Sequence, residues 1–432
     1  MEGGAVMSSV PRLVRERKRK SRRLGAPEVV DRAGFSELGV DVKVEMIRSL
    51  VPLGLMHVQE LLDDEVKALA GNRYARKSDD EAHRYGSNRG SVRLAGQRVP
   101  IRVPRVRGAD GEVSLPSYRL LQERGGLDET LLRRVLYGIS CRNYEAAAEA
   151  IPGALGLSKS SVSRGFVETS AEELRKFQER DLSSEVFVAL ILDGKTFAEE
   201  TMVIALGVRD DGEKRFLGFV ETTTENETVL TAFLRSLIDR GLDTSDGILV
   251  IIDGAKGLRA AVRKVFVRRA VVQRCQWHKR ENVVSYLARE EQPAWRRRLQ
   301  QAYNRPTSEE ARQALERIHR DLAERNESAA ASLAEGFEET LTLHRLGVAG
   351  LLGRSLRTTN ALESVNAMIE ERCAKVDAWK TSNQRQRWLA SALLDIEPRL
   401  RKLLGYRHLP KLQEAIRREL KIERSEAKRK AA

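Results

Sequence analysis

The stretch of residues 186–287 alternates short apolar runs with amphipathic segments, and it constrains the fold more than any other part of the chain. Residues 186–192 form the longest uninterrupted apolar run in the sequence, and four further runs have the length and composition of strands. The segments between the later runs repeat apolar side chains at helical spacing. The predicted order is β-β-β-α-β-α-β-α, over residues 186–192, 201–208, 215–221, 226–240, 248–252, 256–266, 270–274 and 278–287.

Three strands in meander followed by strand-helix-strand crossovers imply a mixed sheet with helices packed on it. That order is the one expected of a ribonuclease-H-like core, so the predicted fold class is α/β. After this block, residues 293–350 have helical periodicity and no strand signal, which indicates an all-α insertion.

The remaining sequence divides by composition and periodicity. Residues 36–70 suggest two helices, separated near Pro52 and Gly54. We predict a disordered basic arm over 1–25, a helical region over 26–83, an Arg-rich β-ribbon over 84–126, a helix-turn-helix DNA-binding region over 127–182, a catalytic core over 183–290 and 351–396, the insertion over 291–350, and a basic helical tail over 397–432.

The charge balance indicates a polyanionic partner. The 432 residues carry 76 Lys and Arg against 62 Asp and Glu, a net charge of +14. The basic termini alone are compatible with a role in solubility. Two internal stretches, residues 73–107 and 254–280, are also strongly basic, and the second contains no acidic residue. Nucleic acid is therefore the favoured partner.

Composition also excludes several classes of protein. No apolar run approaches the roughly 20 residues of a membrane span. The first residues lack the apolar segment of a secretory signal. Cys141, Cys275 and Cys373 are too few and too widely spaced for a disulfide framework, and they fit a reducing cytoplasm. We expect a cytoplasmic protein.

Two apolar strands each end in Asp-Gly, at Asp193 and Asp253. Either dipeptide alone is commonly only a turn. The first and fourth strands are neighbours in a ribonuclease-H-like sheet, so the two carboxylates would face one another and repel unless a cation lay between them. Two Mg²⁺ ions about 3.5–4 Å apart would meet that need and support phosphoryl transfer, and Mn²⁺ could substitute.

Such a site needs a third carboxylate. The candidates after the second Asp are Glu281, Glu290, Glu291 and Glu363. Glu363 lies at the start of a predicted helix, but Asn360-x-x-Glu363 is also a capping-box pattern that requires no catalysis. A cap and a catalytic role are compatible, because a cap would fix the glutamate side chain.

A Gly-containing turn at Gly156, a potential N-cap at Ser158 and a polar helix suggest the helix-turn-helix, although ordinary helix pairs share this pattern. The candidate DNA contacts of that helix are Lys159, Ser160, Ser163 and Arg164. Further candidates are Arg102 and Arg105 in the ribbon and Lys256, Lys279 and Arg280 in the core.

Several motifs, in order and spacing, resemble the Mutator-type family of DDE transposases from bacterial insertion sequences. The resemblance runs from roughly residue 84 to 409. It is carried by Val103-Pro-Arg105, Leu157-Ser-Lys-Ser-Ser-Val-Ser163, Leu192-Asp-Gly194, Arg240-Gly-Leu242, Asp253-Gly-x-x-Gly-Leu258, Gln273-Arg-Cys-Gln-Trp-His-Lys279 with Asn282, and Arg357-Thr-Thr-Asn-x-x-Glu363 with Asn366.

This resemblance implies that Asp193, Asp253 and Glu363 form the catalytic triad and hold the Mg²⁺ ions. It also implies binding to terminal inverted repeats, strand cleavage, and transfer to a double-stranded target DNA through a circular intermediate. Synapsis of two ends would require a homodimer or a larger assembly. Two other hypotheses remain open: an inactive transposase-derived DNA-binding regulator, and a host-adapted nuclease on the same core.

Some residues around the motifs have alternative interpretations. Cys275-x-x-His278 offers two ligands, too few for a closed zinc site, so packing and hydrogen-bonding support of the active site is favoured. Asn360 is assigned the same supporting role.

Trp295 could stack on an unpaired base, but ordinary helical core is the simpler interpretation. After the catalytic Glu the family generally places basic residues, whereas this chain has Ser364, Ala367 and Glu370.

Overall fold

The computed structural model describes residues 51–73, 82–94, 97–123, 135–137, 159–197, 199–222, 226–374 and 376–422. The chain divides into two compact units. One comprises Met1–Asn88 and Val103–Leu121, and the other comprises Arg89–Arg102 and Gln122–Ala432. The predicted basic arm lies outside the described residues. Within the described ranges, no helix is both long enough and apolar enough to cross a bilayer.

The first unit contains helix α1 (Val51–Ala70), which buries a stripe of apolar side chains at helical spacing: Val58, Leu61, Leu62, Val66 and Ala70. The predicted break near Pro52 and Gly54 is wrong, because the helix runs through both residues. Pro52 lies in the first turn, where a missing N–H removes no helical hydrogen bond. The preceding predicted helix lies before residue 51, outside the described residues.

The segment predicted as an Arg-rich ribbon contains strands β1 (His83–Leu94), β2 (Gln97–Gly108) and β3 (Gly111–Val113), in the sheet order β1-β2-β3. Its predicted extension to residue 126 is wrong, because Pro116–Gln122 form helix α2. Ser117 explains the local change: its buried N–H and hydroxyl donate to the carboxylate of Glu65, so the start of the helix is held against α1.

The second unit contains the predicted mixed sheet, which is confirmed. Its strands lie in the order β6-β5-β4-β7-β8. β5 pairs antiparallel with both β4 and β6, whereas β7 pairs parallel with both β4 and β8. The bounds are β4 (Phe187–Phe197), β5 (Glu200–Arg209), β6 (Lys214–Thr222), β7 (Ile248–Ile252) and β8 (Ala270–Arg274).

Strand β4 continues five residues beyond its predicted end at residue 192. Asp193 pairs with Ile204 and Gly194 with Val203, so this Asp-Gly dipeptide is not a turn. Phe197, which is buried, extends the apolar alternation past the polar residues. Asp193 is therefore fixed by the sheet rather than by a loop.

Alternate side chains of β4 enter two separate cores. Ile191 belongs to one core with helices α3 (Lys159–Gln178), α12 (Ala349–Leu356), α13 (Asn360–Cys373), α14 (Ser382–Ile396) and α15 (Leu409–Leu420). Leu190 and Leu192 belong to the other core, with α4 (Glu227–Asp239) and α5 (Lys256–Phe266). The predicted basic tail is therefore partly a core element, because α15 buries its apolar stripe: Leu409, Leu412 and Ile416.

The predicted insertion is helical and has a core of its own. Its helices are α7 (Gln292–Tyr303), α8 (Ser308–Ala323), α9 (Glu327–Ala334), α10 (Phe337–Thr340) and α11 (Thr342–Arg345). This core also takes in Val283 and Val284 from α6 (Gln276–Val284), the helix after β8. From Leu343 onward the buried side chains join the core of the sheet instead.

Helix α3 is the part of the predicted helix-turn-helix that the structure describes in most detail. It exposes Ser160, Ser163 and Arg164. Its opposite face buries Phe166 and other apolar residues in the sheet core, where the Phe166 ring lies 4.7 Å from that of Trp388. Residues 124–134 and 138–158, in which the remaining helices and the turn were predicted, lie outside the described part.

Candidate catalytic site

The strand register brings two of the predicted carboxylates to one edge of the sheet. Leu192 of β4 lies opposite Ile252 of β7 in a parallel pairing. The next residue on each strand is the predicted aspartate, so Asp193 and Asp253 follow at the same level. Asp253 stands in a turn, where its Oδ1 accepts a hydrogen bond from the Ala255 N–H at 3.0 Å.

Burial and neighbouring charges act strongly on Asp193, which is 5% exposed. Its pKa rises to about 7, first because burial disfavours the charged form, and further because Asp253 and Glu363 are nearby carboxylates; His278 opposes the rise. The three predicted acidic residues therefore share one electrostatic field. Without a cation, Asp193 holds a proton near neutral pH.

Glu363 approaches from the helix that covers this face of the sheet. Helix α13 has Thr359 as its N-cap and begins at Asn360, so the predicted capping box is wrong. The helix starts one residue too early for that motif, which leaves Glu363 in the fourth helical position. Its Oε1 is buried and has no hydrogen-bond partner in the structure. A carboxylate oxygen left in this state is a candidate ligand atom.

The predicted supporting residues meet around Thr359. The Thr359 Oγ1 lies 3.7 Å from the Cys275 Sγ and 3.4 Å from the His278 Nδ1. The Cys275 N–H donates to the Ile252 carbonyl at 2.7 Å, next to Asp253. Burial raises the pKa of the Cys275 thiol, which favours its neutral form. Asn360 is exposed; the contacts expected of it are made by Thr359, which the sequence did not single out.

Arg274 is another residue that the sequence reasoning missed. It is buried between the turn after β7 and the insertion, where its guanidinium donates to the carbonyls of Gly254 and Glu335 at 3.3 and 3.2 Å. A Cβ at Gly254 would overlap the Arg274 Nε, and one at Gly336 would overlap a terminal nitrogen of the same guanidinium. Two glycines flanking one arginine therefore fix the Asp253 turn against the insertion.

The acidic replacement at Glu370 has a partner. The Lys195 Nζ lies 2.7 Å from the Glu370 Oε1 and 3.0 Å from the Asn366 carbonyl oxygen. The ion pair lowers the pKa of Glu370, chiefly through the hydrogen bond from Lys195. The acidic side chain thus binds a lysine two residues beyond Asp193.

The predicted DNA contacts differ in accessibility. Lys279 is wrong as a DNA contact, because it is fully buried and its Nζ donates to the Ser332 carbonyl at 2.6 Å. Burial lowers its pKa to about 8. Arg280 is engaged internally with Glu281 and Gln300.

Other candidates face solvent. Lys256 and Arg102 are exposed. Arg105 makes a bidentate pair with Glu112 at 2.6 and 2.7 Å, which partly neutralises it. The side chain of Lys159 lies outside the described part of the structure.

The donor set at the site consists of carboxylates. Among the described residues, no three His, Cys, Asp or Glu side chains stand close enough together to hold a metal ion as they are placed. The chemistry of Asp193, Asp253 and Glu363 nevertheless fits a hard cation, because all three are carboxylates and the Glu363 Oε1 is buried without a partner.

Comparison with known proteins gives the same family throughout. The chain is 26% identical over 353 residues to the transposase for insertion sequence element IS256 in transposon Tn4001 of Staphylococcus aureus, covering 78% of this chain and 87% of that one. It is 27% identical over 388 residues to the transposase for IS406 of Burkholderia multivorans, covering 84% and 93%.

A third relative, the transposase for IS6120 of Mycolicibacterium smegmatis, is 29% identical over 253 residues, with 57% and 76% covered. The family described as Transposase, Mutator family, matches residues 37–398 and so spans most of the chain. The protein belongs to the Mutator family of transposases.

Proposed function

We propose that this protein is an active DNA transposase with a ribonuclease-H-like catalytic core, which cleaves and transfers DNA strands through Asp193, Asp253 and Glu363. The observation that carries the proposal is the placement of Asp193 and Asp253 directly after two paired residues at one edge of the sheet. Both Asp253 and Glu363 raise the pKa of the buried Asp193 carboxyl. A protein that only bound DNA would gain nothing from this arrangement, since a buried carboxylate near two other acidic groups is costly to ionise.

The three residues have different parts. Asp193 is rigid, because it lies within β4, and it exchanges its proton near neutral pH. The turn that binds one oxygen of Asp253 fixes the direction of its carboxylate. Glu363 presents an oxygen, Oε1, that has no hydrogen-bond partner among the described residues. Divalent cations held by these groups, Mg²⁺ or in its place Mn²⁺, would supply an activated water or 3′-hydroxyl and stabilise the leaving 3′-oxygen.

The surrounding residues maintain the geometry. Thr359 connects the Cys275-x-x-His278 segment to the start of the helix that carries Glu363. Arg274 connects the Asp253 turn to the insertion. We assign both sets to positioning, since neither supplies an acidic ligand.

The substrate is proposed to be the inverted repeats at the ends of an insertion sequence, followed by a duplex target. Arg102, Lys256 and the exposed side of α3 with Ser160, Ser163 and Arg164 are the proposed phosphate contacts. Two ends must be held together for transfer, so the active form is proposed to be a homodimer or larger, acting at the nucleoid in the bacterial cytoplasm.

The catalytic test uses a supercoiled plasmid that bears the ends of the element, incubated with full-length protein and Mg²⁺ or Mn²⁺. Wild type should nick the plasmid, and Asp253→Asn should not. Asp243→Asn is a matched control, because Asp243 accepts a hydrogen bond from the Ser245 N–H at 2.8 Å in the same kind of turn, away from the site. Equal nicking by wild type and Asp253→Asn refutes the proposal, as does an inactive wild type.

End recognition is tested separately with the full chain. A fragment ending at residue 178 is unsuitable, because α3 buries Phe166 and Phe177 in the sheet core and the fragment would expose both. Binding of Asp253→Asn protein to end duplexes and scrambled duplexes is compared at several salt concentrations. A preference for the end duplexes supports end recognition. Equal binding to end and scrambled duplexes at every salt concentration would indicate nonspecific phosphate binding and would refute end recognition.

A further inference from the structure

Trp277 is the most exposed of the four tryptophans in the chain. Its exposed fraction is 38%, against 4% for Trp295 and 9% for Trp388. Trp379 is half-buried and packs on Phe197 with ring centroids 4.9 Å apart. Large aromatic side chains contribute most to stability when they are buried, so a surface indole needs a reason at its particular position.

The position of Trp277 is the edge of the candidate catalytic site. The indole lies edge-on to the His278 imidazole, with ring centroids 4.8 Å apart and planes at 82°. His278 in turn contacts Thr359 at the start of the Glu363 helix. Asp193 also lies within electrostatic reach of His278. One ring therefore separates the exposed indole from the residues that surround the carboxylates.

The charge beside the site favours a nucleic acid over a protein as the occupant. Lys256 is exposed and follows Asp253 by three residues in the chain. Much of the remaining positive charge of residues 254–280 is engaged within the protein, as at Arg263, which pairs with Glu339, and at the buried Lys279. An aromatic side chain near an exposed cation combines the two features by which proteins hold unpaired nucleotides: charge for the phosphates and stacking for the base.

We infer that Trp277 is the stacking surface for an unpaired nucleobase of the DNA substrate beside the scissile phosphate. This inference rests on the proposed transposase function and adds a substrate contact to it. A base that is unpaired beside the scissile phosphate loses the stacking contacts of the duplex, and an indole can replace them. Because every base has a flat π face, the contact tolerates any sequence at that position.

The structure gives this role to Trp277 and not to Trp295. Trp295 is buried in the core of the insertion, and the Arg298 guanidinium covers its ring at 4.3 Å. A base could reach Trp295 only after that arginine moved and the core opened. Trp277 requires neither change.

The test measures binding of full-length protein to two forms of the element's end duplex in EDTA, where cleavage does not occur. One form is fully paired, and the other leaves the terminal nucleotide unpaired; both carry 2-aminopurine at that nucleotide. Trp277→Ala should bind the unpaired form about 5- to 100-fold more weakly than wild type, with little change for the paired form. Trp277→Phe should retain most of the affinity.

The fluorescence of the 2-aminopurine provides a second readout. Wild type should quench it in the unpaired form, whereas Trp277→Ala should not. Tyr286→Ala is the matched control, because Tyr286 is also an exposed aromatic residue just beyond the same helix, at 53% exposure. It should leave both affinity and quenching unchanged.

The results separate this inference from the proposed function. If Trp277→Ala binds and quenches the unpaired form as wild type does, the inference is refuted, whatever the nicking assay shows. Equal loss of affinity for both duplex forms also refutes it and indicates a structural role or another kind of partner for the indole. If wild type fails to nick in Mg²⁺, the proposed function fails even where base stacking is observed.

Discussion

Removal of the buried charge at Asp193 should make the stability of the protein less dependent on pH. The pKa of Asp193 is about 7 in the folded protein, against an ordinary value of 3.8. Each unit corresponds to about 1.4 kcal/mol, so the difference of about three units corresponds to about 4 kcal/mol. Because the folded pKa is raised, the associated stability is fully present below about pH 4 and is lost as the pH rises through 7.

The assay is urea unfolding of wild type and Asp193→Asn in EDTA at pH values from 4 to 8. The asparagine has no charge to bury, so between these limits its free energy of unfolding should rise by about 4 kcal/mol relative to wild type. Asp243→Asn, an exposed aspartate replacement, serves as the control and should show no such trend. Addition of Mg²⁺ at pH 8 should recover stability in wild type more than in Asp193→Asn.

A difference between wild type and Asp193→Asn that stays constant with pH would refute this reasoning. It would mean that the Asp193 carboxyl is hydrated in the folded protein and that the three carboxylates do not share a desolvated site.

Two further predictions concern the support of the site and the DNA contacts. Gly254→Ala should lower the free energy of unfolding by about 2–4 kcal/mol, since φ is +109° and the new Cβ would meet Arg274. Gly350→Ala, where nothing lies within 4 Å, should be neutral or up to about 1 kcal/mol stabilising in the same denaturation assay. In filter-binding titrations against salt, Lys256→Gln should reduce the salt slope by about one, whereas the buried Lys279→Met should leave it unchanged; the opposite pattern would contradict the accessibility argument.

The sequence predicted the sheet well because its strands are continuous apolar runs with little competing signal. Residues 248–252, 256–266 and 270–274 coincide with the observed elements. Predictions failed where a local sequence pattern was compatible with two different structures. Gly54 lies inside a helix that was predicted to break there, and residues 116–122 form a helix because of a long-range contact to Glu65 that no local pattern contains.

At the candidate site, too, local patterns were predictive and long-range contacts were not. Asp193 and Asp253 could be paired from the sequence, because parallel neighbouring strands bring their ends to one edge. Spacing alone left Glu363 undecided, since the capping-box alternative depends on where the helix begins, and only the structure places that start at Asn360. Thr359 and Arg274 were missed because their partners lie 20 to 84 residues away in the chain.

By itself, the sequence determined the order of strands, the basic character of the chain and the identity of the acidic residues, since these depend on composition and on patterns between near neighbours. The tertiary structure decided which charges are accessible. Lys279 is buried and Lys256 is exposed although both belong to one basic stretch, and Trp277 faces solvent whereas Trp295 lies in a core. Burial depends on contacts between distant segments, and the same residue type binds a protein carbonyl in one place and remains available to a ligand in another.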